Sequence, residues 1–543
     1  MADTVFGTDA PRLPDLDKPA DSEYPGSPPP KEYFVIPVID LFAGPGGLNE
    51  GFSRLGEAGK NATFETIGSF EMDPVACRTL RLRHTFHSLA RSEDGVPDAY
   101  YEFVRGQRTL DSLLSVPEVA DAHGRAVASV HQIELGTDRS ISDELIKAAL
   151  TRALPEGGDW VLVGGPPCQA YSLVGRSRRS KDDTFEDDKK HFLYREYLHI
   201  LETFEPPVFV MENVKGLLSS TNRGTQMFEM IRSDLEGAGT AGYDLYSFVV
   251  DSEPSDVKPG DFVIRAENYG VPQKRHRVIL LGVRRGFRAG QRPGQLAPVK
   301  KVSVADSIGH LPPVRSGISP VRADSLEGWR DVREAARVEA GLDPAPTSGP
   351  SSRGAQFVQH NGGSSPTTDF EAWISDSRIG GYIQHESRSH MESDLRRYYF
   401  AARKARELGR SPKLDDFPRE LLPKHANIDQ KDRPFDDRFR VQVNEDPATT
   451  VTSHISKDGH YYIHPDEDQM RSLTVREAAR LQSFPDNYFF AGNRTQQYHQ
   501  VGNAVPPLLA YRLAEIVAAV FTEAVDDPAA AEMMLPEPAQ VMA

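Results

Sequence analysis

Two strand-to-loop junctions, 44 residues apart, constrain this 543-residue chain more than any other feature. The first, Pro166-Pro167-Cys168-Gln169, follows the apolar run 160–163 and two glycines, and Cys168 is one of only two cysteines. The second, Glu212-Asn213-Val214, follows the apolar run 208–211. Between them Leu193, Tyr197, Ile200, Leu201 and Phe204 fall on one helical stripe, so the pattern predicts strand, helix, strand in a parallel βαβ unit. A right-handed crossover brings the two carboxyl ends together, and Cys168 and Glu212 are expected to share one site. A thiolate beside a carboxyl group suits attack on an electron-poor ring whose nitrogen must be hydrogen-bonded or protonated as charge builds. Cytosine is such a ring. Attack at C6, with Glu212 at N3, makes C5 an enamine-like carbon that can accept a methyl group.

A methyl-donor site is then expected. The run 34–39 reads as a buried strand leading into Asp40-Leu41-Phe42-Ala43-Gly44-Pro45-Gly46-Gly47 and a helix from about Leu48. Glycines let the backbone approach a ligand, and a helix start favours an anionic group. A second strand, 64–70, ends at Glu71-Met72-Asp73, 24 residues past Gly47, the spacing at which an acid meets ribose hydroxyls in nucleotide-binding units. Taken alone, the glycine loop fits a plain tight turn as well as a nucleotide-like ligand.

With these motifs in order the chain resembles the DNA (cytosine-5)-methyltransferases of bacterial type. The resemblance is carried by FAGPGG from Phe42, the acid Glu71, PPCQ from Pro166, ENV from Glu212, QKRHR from Gln273, RSLTVREAARLQSFPD from Arg471 and QVGNAVPP from Gln500, over residues 34–286 and 446–520. It implies an α/β, Rossmann-like sheet binding S-adenosylmethionine, with a second, smaller target-recognition domain. It implies Cys168 as nucleophile, Glu212 on N3, and Arg277 supporting the flipped base, with Gln273 and Arg275 shaping the same wall. Donor contacts are implied at Phe42, Gly44, Gly46, Gly47, Glu71, Met72, Pro166, Leu193, Asn503 and Val505, so the C-terminal part must return to the first half. The family's Gly-Asp-Ile against the adenine amino group is absent. In the expected strand 128–135 the chain offers His131-Gln132-Ile133, leaving Gln132 and Asp138 as rival candidates.

The implied substrate is double-stranded DNA, methylated at cytosine C5 after base flipping, in restriction-modification or phage defence beside companion restriction or defence proteins. An RNA methyltransferase on the same scaffold, or an inactive DNA-binding subunit, are the alternatives. The net charge of −16 is unevenly spread: residues 272–322 carry 11 Lys or Arg against one acid, Asp306. That stripe suits phosphate contacts, though an ordinary solvated face has the same composition. With two unlike cysteines a cysteine-rich zinc module is excluded, and no metal is expected. Cys77 reads as a buried small hydrophobe. Neither a signal peptide nor 18 consecutive apolar residues is present, so a cytoplasmic protein without membrane contact, monomeric on DNA, is expected.

Along the chain, 1–31 reads as a disordered lead-in, 32–287 as the catalytic half with an insertion at 85–125, and 288–445 as the target-recognition domain. Residues 446–520 complete the catalytic domain and 521–543 form an acidic flexible tail. The insertion shows two short helical patterns, and the charged stretch 168–190 reads as a loop closing over the base.

Overall fold

The computed structural model describes residues 35–56, 64–167, 193–222, 225–287, 292–320, 324–345, 349–360, 365–423 and 436–521. The expected lead-in 1–31, the loop from Cys168 to 190 and the tail beyond Phe521 lie outside the described residues.

Strand β1 (Ile36–Leu41) is buried along its whole length, as a central parallel strand covered on both faces must be. It turns through the glycine loop into α1 (Gly47–Arg54). After β2 (Phe64–Glu71), α2 (Pro74–Ala90) starts at Asp73, whose side chain accepts from the Val75 and Ala76 amides ahead of a proline in the first turn. The insertion holds three helices rather than two: α3 (Asp98–Val104), α4 (Leu110–Leu114) and α5 (Pro117–Ser129). Because α5 continues through Ser129, β3 is only Val130–Gln132, shorter than the expected 128–135. Next come α6 (Arg139–Ala153), β4 (Val161–Gly164), α7 (Leu193–Phe204) and β5 (Val208–Val214). The sheet closes with β6 (Tyr243–Tyr246), β7 (Val263–Arg265) and β8 (His276–Arg284).

Strand order is β3-β2-β1-β4-β5-β8-β6, with β7 also on β8. Strands β3, β2, β1, β4 and β5 are mutually parallel, and β8 is antiparallel to its neighbours. The chain starts in the middle at β1, walks out to β3 and resumes at β4 on the other side. Strand order therefore reverses between β1 and β4, the place where ligands bind in open α/β sheets. This is the Rossmann-like methyltransferase sheet that the sequence led us to expect.

Val38, Val161, Val208 and Ile279 bury one sheet face against Phe52 of α1 and Leu509, Leu513 and Val517 of the C-terminal helix Pro507–Phe521. Ile39, Leu162 and Phe209 cover the other with Ile146 of α6 and Tyr197 and Ile200 of α7. By length and composition the segment Arg494–Phe521 could cross a membrane, but 67% of its most apolar window is buried inside the protein, as suits core helices.

Region 288–445 sends side chains into these cores. Phe370 and Ile374, on α8 (Asp369–Ile374), join the α1 face, and Val304, Ile308 and Leu311 pack with Leu473, Phe484 and Tyr488. The same region carries an antiparallel pair, β9 (Gly354–Gln359) with β10 (Gly381–Glu386), and the helix Glu392–Leu408.

Candidate active site

The described part of the first junction, through Pro167, lies beside the second. Gly164 at the end of β4 pairs with Met211 of β5, so Glu212 lies beside the start of the Pro166 turn. Asn213 Nδ2 donates to Pro166 O at 3.3 Å, fixing that turn to β5. A Cβ on Gly165 would stand 3.0 Å from Glu212 Oε2, a tight contact that glycine avoids. Glu212 falls inside β5 rather than after it, and register sets it opposite Ile279 of β8 with Arg277 opposite Val214. Arg277 Nε is 2.8 Å from Glu212 Oε1, both side chains being largely buried. Cys168 and Gln169 lie one and two residues past the last described residue of this turn, outside the described set.

Gln273 and Arg275 have other surroundings than the expected base-side wall. Gln273 is fully buried: its amide donates to Leu481 O at 2.9 Å and Gln482 Oε1 at 2.5 Å, and its oxygen accepts from Val451 N at 2.9 Å. Arg275 donates to Val451 O and Gly502 O, and burial, then the Arg277 charge, push its pKa well below the usual guanidinium range. Both side chains tie the segment leading into β8 to the C-terminal part, a use that a sequence motif cannot distinguish from ligand contact.

At the donor end, Phe42, Gly44 and Gly46 all have positive φ, at 55°, 56° and 93°. The strained Phe42 costs energy that the surrounding loop must supply. Glu71 holds the loop: Oε2 accepts from Gly44 N and Oε1 from Asp73 N, each at 2.8 Å, while burial raises its pKa. Met72 beside it is 60% exposed, an open apolar surface at the crevice mouth. Gln132 pairs with Glu71 across β2 and β3, and paired residues of adjacent strands share a face. Asp138 instead caps α6, accepting from Ser140 N at 3.0 Å and Ser140 Oγ at 2.7 Å, bonds that lower its pKa. Leu193 opens α7 and is partly buried. Cys77 is buried in α2, where its thiol donates to Glu71 O at 3.3 Å and burial pushes its pKa up to about 11.

The C-terminal part does return to this loop. A Cβ on Gly47 would stand 2.1 Å from Val505 O, and one on Gly51 would stand 2.4 Å from the Ala510 Cβ, so α1 and the C-terminal helix touch backbone to backbone. Asn503, exposed at the end of Arg494–Asn503, is bonded to His499 Nδ1 at 3.3 Å. From the same half Tyr488 OH donates to Pro45 O.

One residue escaped the sequence reading. Asp40, at the end of β1, is fully buried with neither carboxyl oxygen bonded to protein. Burial, then Glu71, raises its pKa well above the usual carboxylate range. An acid just ahead of a glycine loop was the only signal in the chain. Among the described residues no cluster of three His, Cys, Asp or Glu could hold a metal.

Residues 144–518 match the family model described as C-5 cytosine-specific DNA methylase. The type II methyltransferase M.Bpa9945I of Bacillus paralicheniformis is 33% identical over 498 residues, covering 88% of this chain and 98% of that protein. The type II methyltransferase M.AgeI of Thalassovita gelatinovora is 27% identical, covering 88% and 98%. M1.HphI of Haemophilus parahaemolyticus is 25% identical, covering 89% and 86%. With the reversed strand order, the glycine loop and the Glu212–Arg277 pair, these matches identify the chain as a member of the C-5 cytosine-specific DNA methylases, a DNA (cytosine-5)-methyltransferase.

Proposed function

We propose that Cys168 is the nucleophile and Glu212 the group at N3 of a cytosine flipped out of double-stranded DNA, with Arg277 orienting Glu212. The observation that carries this reading is the Glu212–Arg277 contact of 2.8 Å beside a Pro166 turn that Asn213 holds to β5. C6 and C5 are not approachable inside the stack, so the base must leave it at a cost of roughly a few kcal/mol. The Cys168 thiolate attacks C6 with Glu212 held at the N3 edge by Arg277, and the electron pair this places on C5 takes the methyl group. Once C5 is methylated, a base takes the C5 proton and the thiolate leaves, restoring the aromatic ring. A free thiol is only a few per cent ionised at neutral pH, so this mechanism requires a site that favours the thiolate, and we assign that part to the positive charges of Arg277 and of the donor's sulfonium.

S-adenosylmethionine fits the crevice between β1 and β4 as the donor, and bound there it supplies an electrophilic methyl group on sulfur. Gly44, Gly46 and Gly47 leave the backbone open to it, and we assign Phe42, Pro166, Leu193, Asn503 and Val505 as its further contacts. Glu71 has lone pairs left for ribose hydroxyls after bonding Gly44 and Asp73. Met72 offers its exposed side chain to the adenine ring, and the shared strand face favours Gln132 over the capping Asp138 for the adenine amino group.

Region 288–445 reads the target and the basic stripe 272–322 contacts phosphates, Arg288 and Arg322 of that stripe lying outside the described residues. The type II names of the relatives favour a modification role beside a companion nuclease, in a cytoplasmic enzyme acting as a monomer on DNA. Bisulfite sequencing of DNA from cells expressing the wild type or Cys168→Ser tests this directly. One methylated sequence context with the wild type and none with the variant is expected. Equal methylation by both would remove Cys168 from the mechanism.

A further inference from the structure

The insertion that the sequence left without a role is built into the region proposed to read DNA. Tyr100, Tyr101 and Val104 of α3, Leu113 of α4 and Val119 and Ala122 of α5 form one buried cluster with Ile379 and Ile383, and Phe357 of β9 packs against it. Polar contacts reinforce this. Tyr101 OH donates to Asp376 Oδ2 at 2.9 Å, and Arg105 donates to Ile379 O at 2.8 Å and to Arg378 O. The Arg378 guanidinium lies over the Tyr101 ring, 4.4 Å from its centroid, and donates to Asp98 Oδ1 at 2.8 Å.

Asp376 is the meeting point. One of its oxygens caps the short 3-10 turn Ser377–Ile379 that leads into β10, accepting from Arg378 N at 3.0 Å. The other accepts from both Tyr101 and Asn487 Nδ2, the latter at 2.8 Å. Asn487 Oδ1 in turn accepts from Arg83 Nη1 at 2.9 Å, and Arg83 holds Glu50 of α1 through two bonds of 2.6 Å. Arg83 also lies over the ring of Tyr488, whose hydroxyl reaches the glycine loop at Pro45. A largely buried polar chain therefore runs from the helix after the donor loop to the first residue of the turn before β10. In a low-dielectric interior such a chain is stiff, because each member would be costly to leave unpaired.

We propose that Asp376 and Tyr101 are positioning residues for target discrimination: the insertion helices and the Glu50–Arg83–Asn487–Asp376 chain hold β9 and β10 at a fixed place relative to the donor half. This rests on the reading that region 288–445 recognises DNA. Cutting the chain lets the recognition strands shift, so correct and incorrect sequences lose their difference while the chemistry, built on β4, β5 and β8, persists.

The test compares wild type, Tyr101→Phe, Asp376→Ala and Asp376→Asn in the full chain, with donor affinity and thermal midpoint as controls of folding. Methylation of a whole plasmid is read by bisulfite sequencing, and KM for DNA and kcat are measured at the target found with the wild type. Tyr101→Phe and Asp376→Ala are expected to lower the ratio of methylation at the target to that at sites one base different by about tenfold. KM for DNA should rise while kcat stays within about twofold, and Asp376→Asn, whose single amide oxygen can keep the Arg378 N bond only by turning its NH2 toward Tyr101 and the Asn487 amide, should restore only part of the ratio. A purely structural role would lower the thermal midpoint and leave the ratio unchanged, and that result overturns the inference. So does an unchanged ratio in folded variants when exchange of 288–445 does move the target. If that exchange leaves the target unchanged as well, the recognition reading has failed, and this inference with it.

Discussion

At the level of single residues, Gly47 shows most clearly how two distant parts of the chain meet at the glycine loop. It opens α1, and a side chain there would meet the Val505 carbonyl at 2.1 Å, a contact with backbone that cannot rotate away. Gly47→Ala is expected to cost about 1–3 kcal/mol or more through overpacking and to weaken donor binding at least about tenfold. Equilibrium dialysis with labelled S-adenosylmethionine checks this, and unchanged affinity would mean that the Val505 approach is not part of the site. Other residues were less legible. The motif containing Gln273, Arg275 and Arg277 could be read as one cluster, yet only Arg277 reaches Glu212, while the other two are bound by carbonyls of residues 451, 481 and 502. Such partners lie 176 to 227 residues away, and a local pattern carries no trace of them. The unbonded carboxyl group of Asp40 was hidden for the same reason.

Among the elements, the strands that carry the site were readable because an all-apolar run ending in a chemically marked turn leaves little choice of placement. β1, β4 and β5 lie where periodicity put them, and Glu212 shifts only from after its strand to within it. The failures are in elements whose limits are set by neighbours. β3 is cut to three residues by α5, and the insertion expected to hold two short helices holds three. In region 288–445, α8 is fixed by Trp373, whose Nε1 donates to Ser483 O at 2.8 Å and whose ring carries the Arg54 guanidinium at 4.0 Å. Exchanging 288–445 for the same segment of a relative with different specificity is expected to move the methylated sequence when the α8 contacts are kept. Bisulfite sequencing of a folded, active chimera reads the outcome. Retention of the original pattern would place recognition elsewhere, with 85–125 the next segment to exchange.

For the whole molecule, acid is the revealing perturbation. His84, His385 and His464 are buried and held neutral, burial pushing their pKa values down to about 3, about 4 and about 3. Each native value is below that of the unfolded chain, near 6.5, so the unfolded state binds more protons through that window and stability falls as pH drops. By pH 5 the loss is on the order of 2 kcal/mol per histidine. Buried Glu50 and Glu477, held below the usual carboxylate range against desolvation by Arg83 and Arg471 respectively, add to the loss at still lower pH. Thermal midpoints at pH 7.5 and pH 5 measure the effect, and a flat profile would contradict the neutral buried state.

The proposed mechanism rests on one reacting group, the thiol of Cys168. A duplex carrying 5-fluorocytosine at the target position tests it most directly, because fluorine at C5 cannot leave as a proton does. With S-adenosylmethionine present, the wild type is expected to form a denaturation-resistant adduct with this DNA. Mass spectrometry of the digested adduct should place the modified base on the peptide containing Cys168, and Cys168→Ser should give no adduct. An adduct of equal yield from the Ser variant, or a modified base on any other residue, would contradict the account.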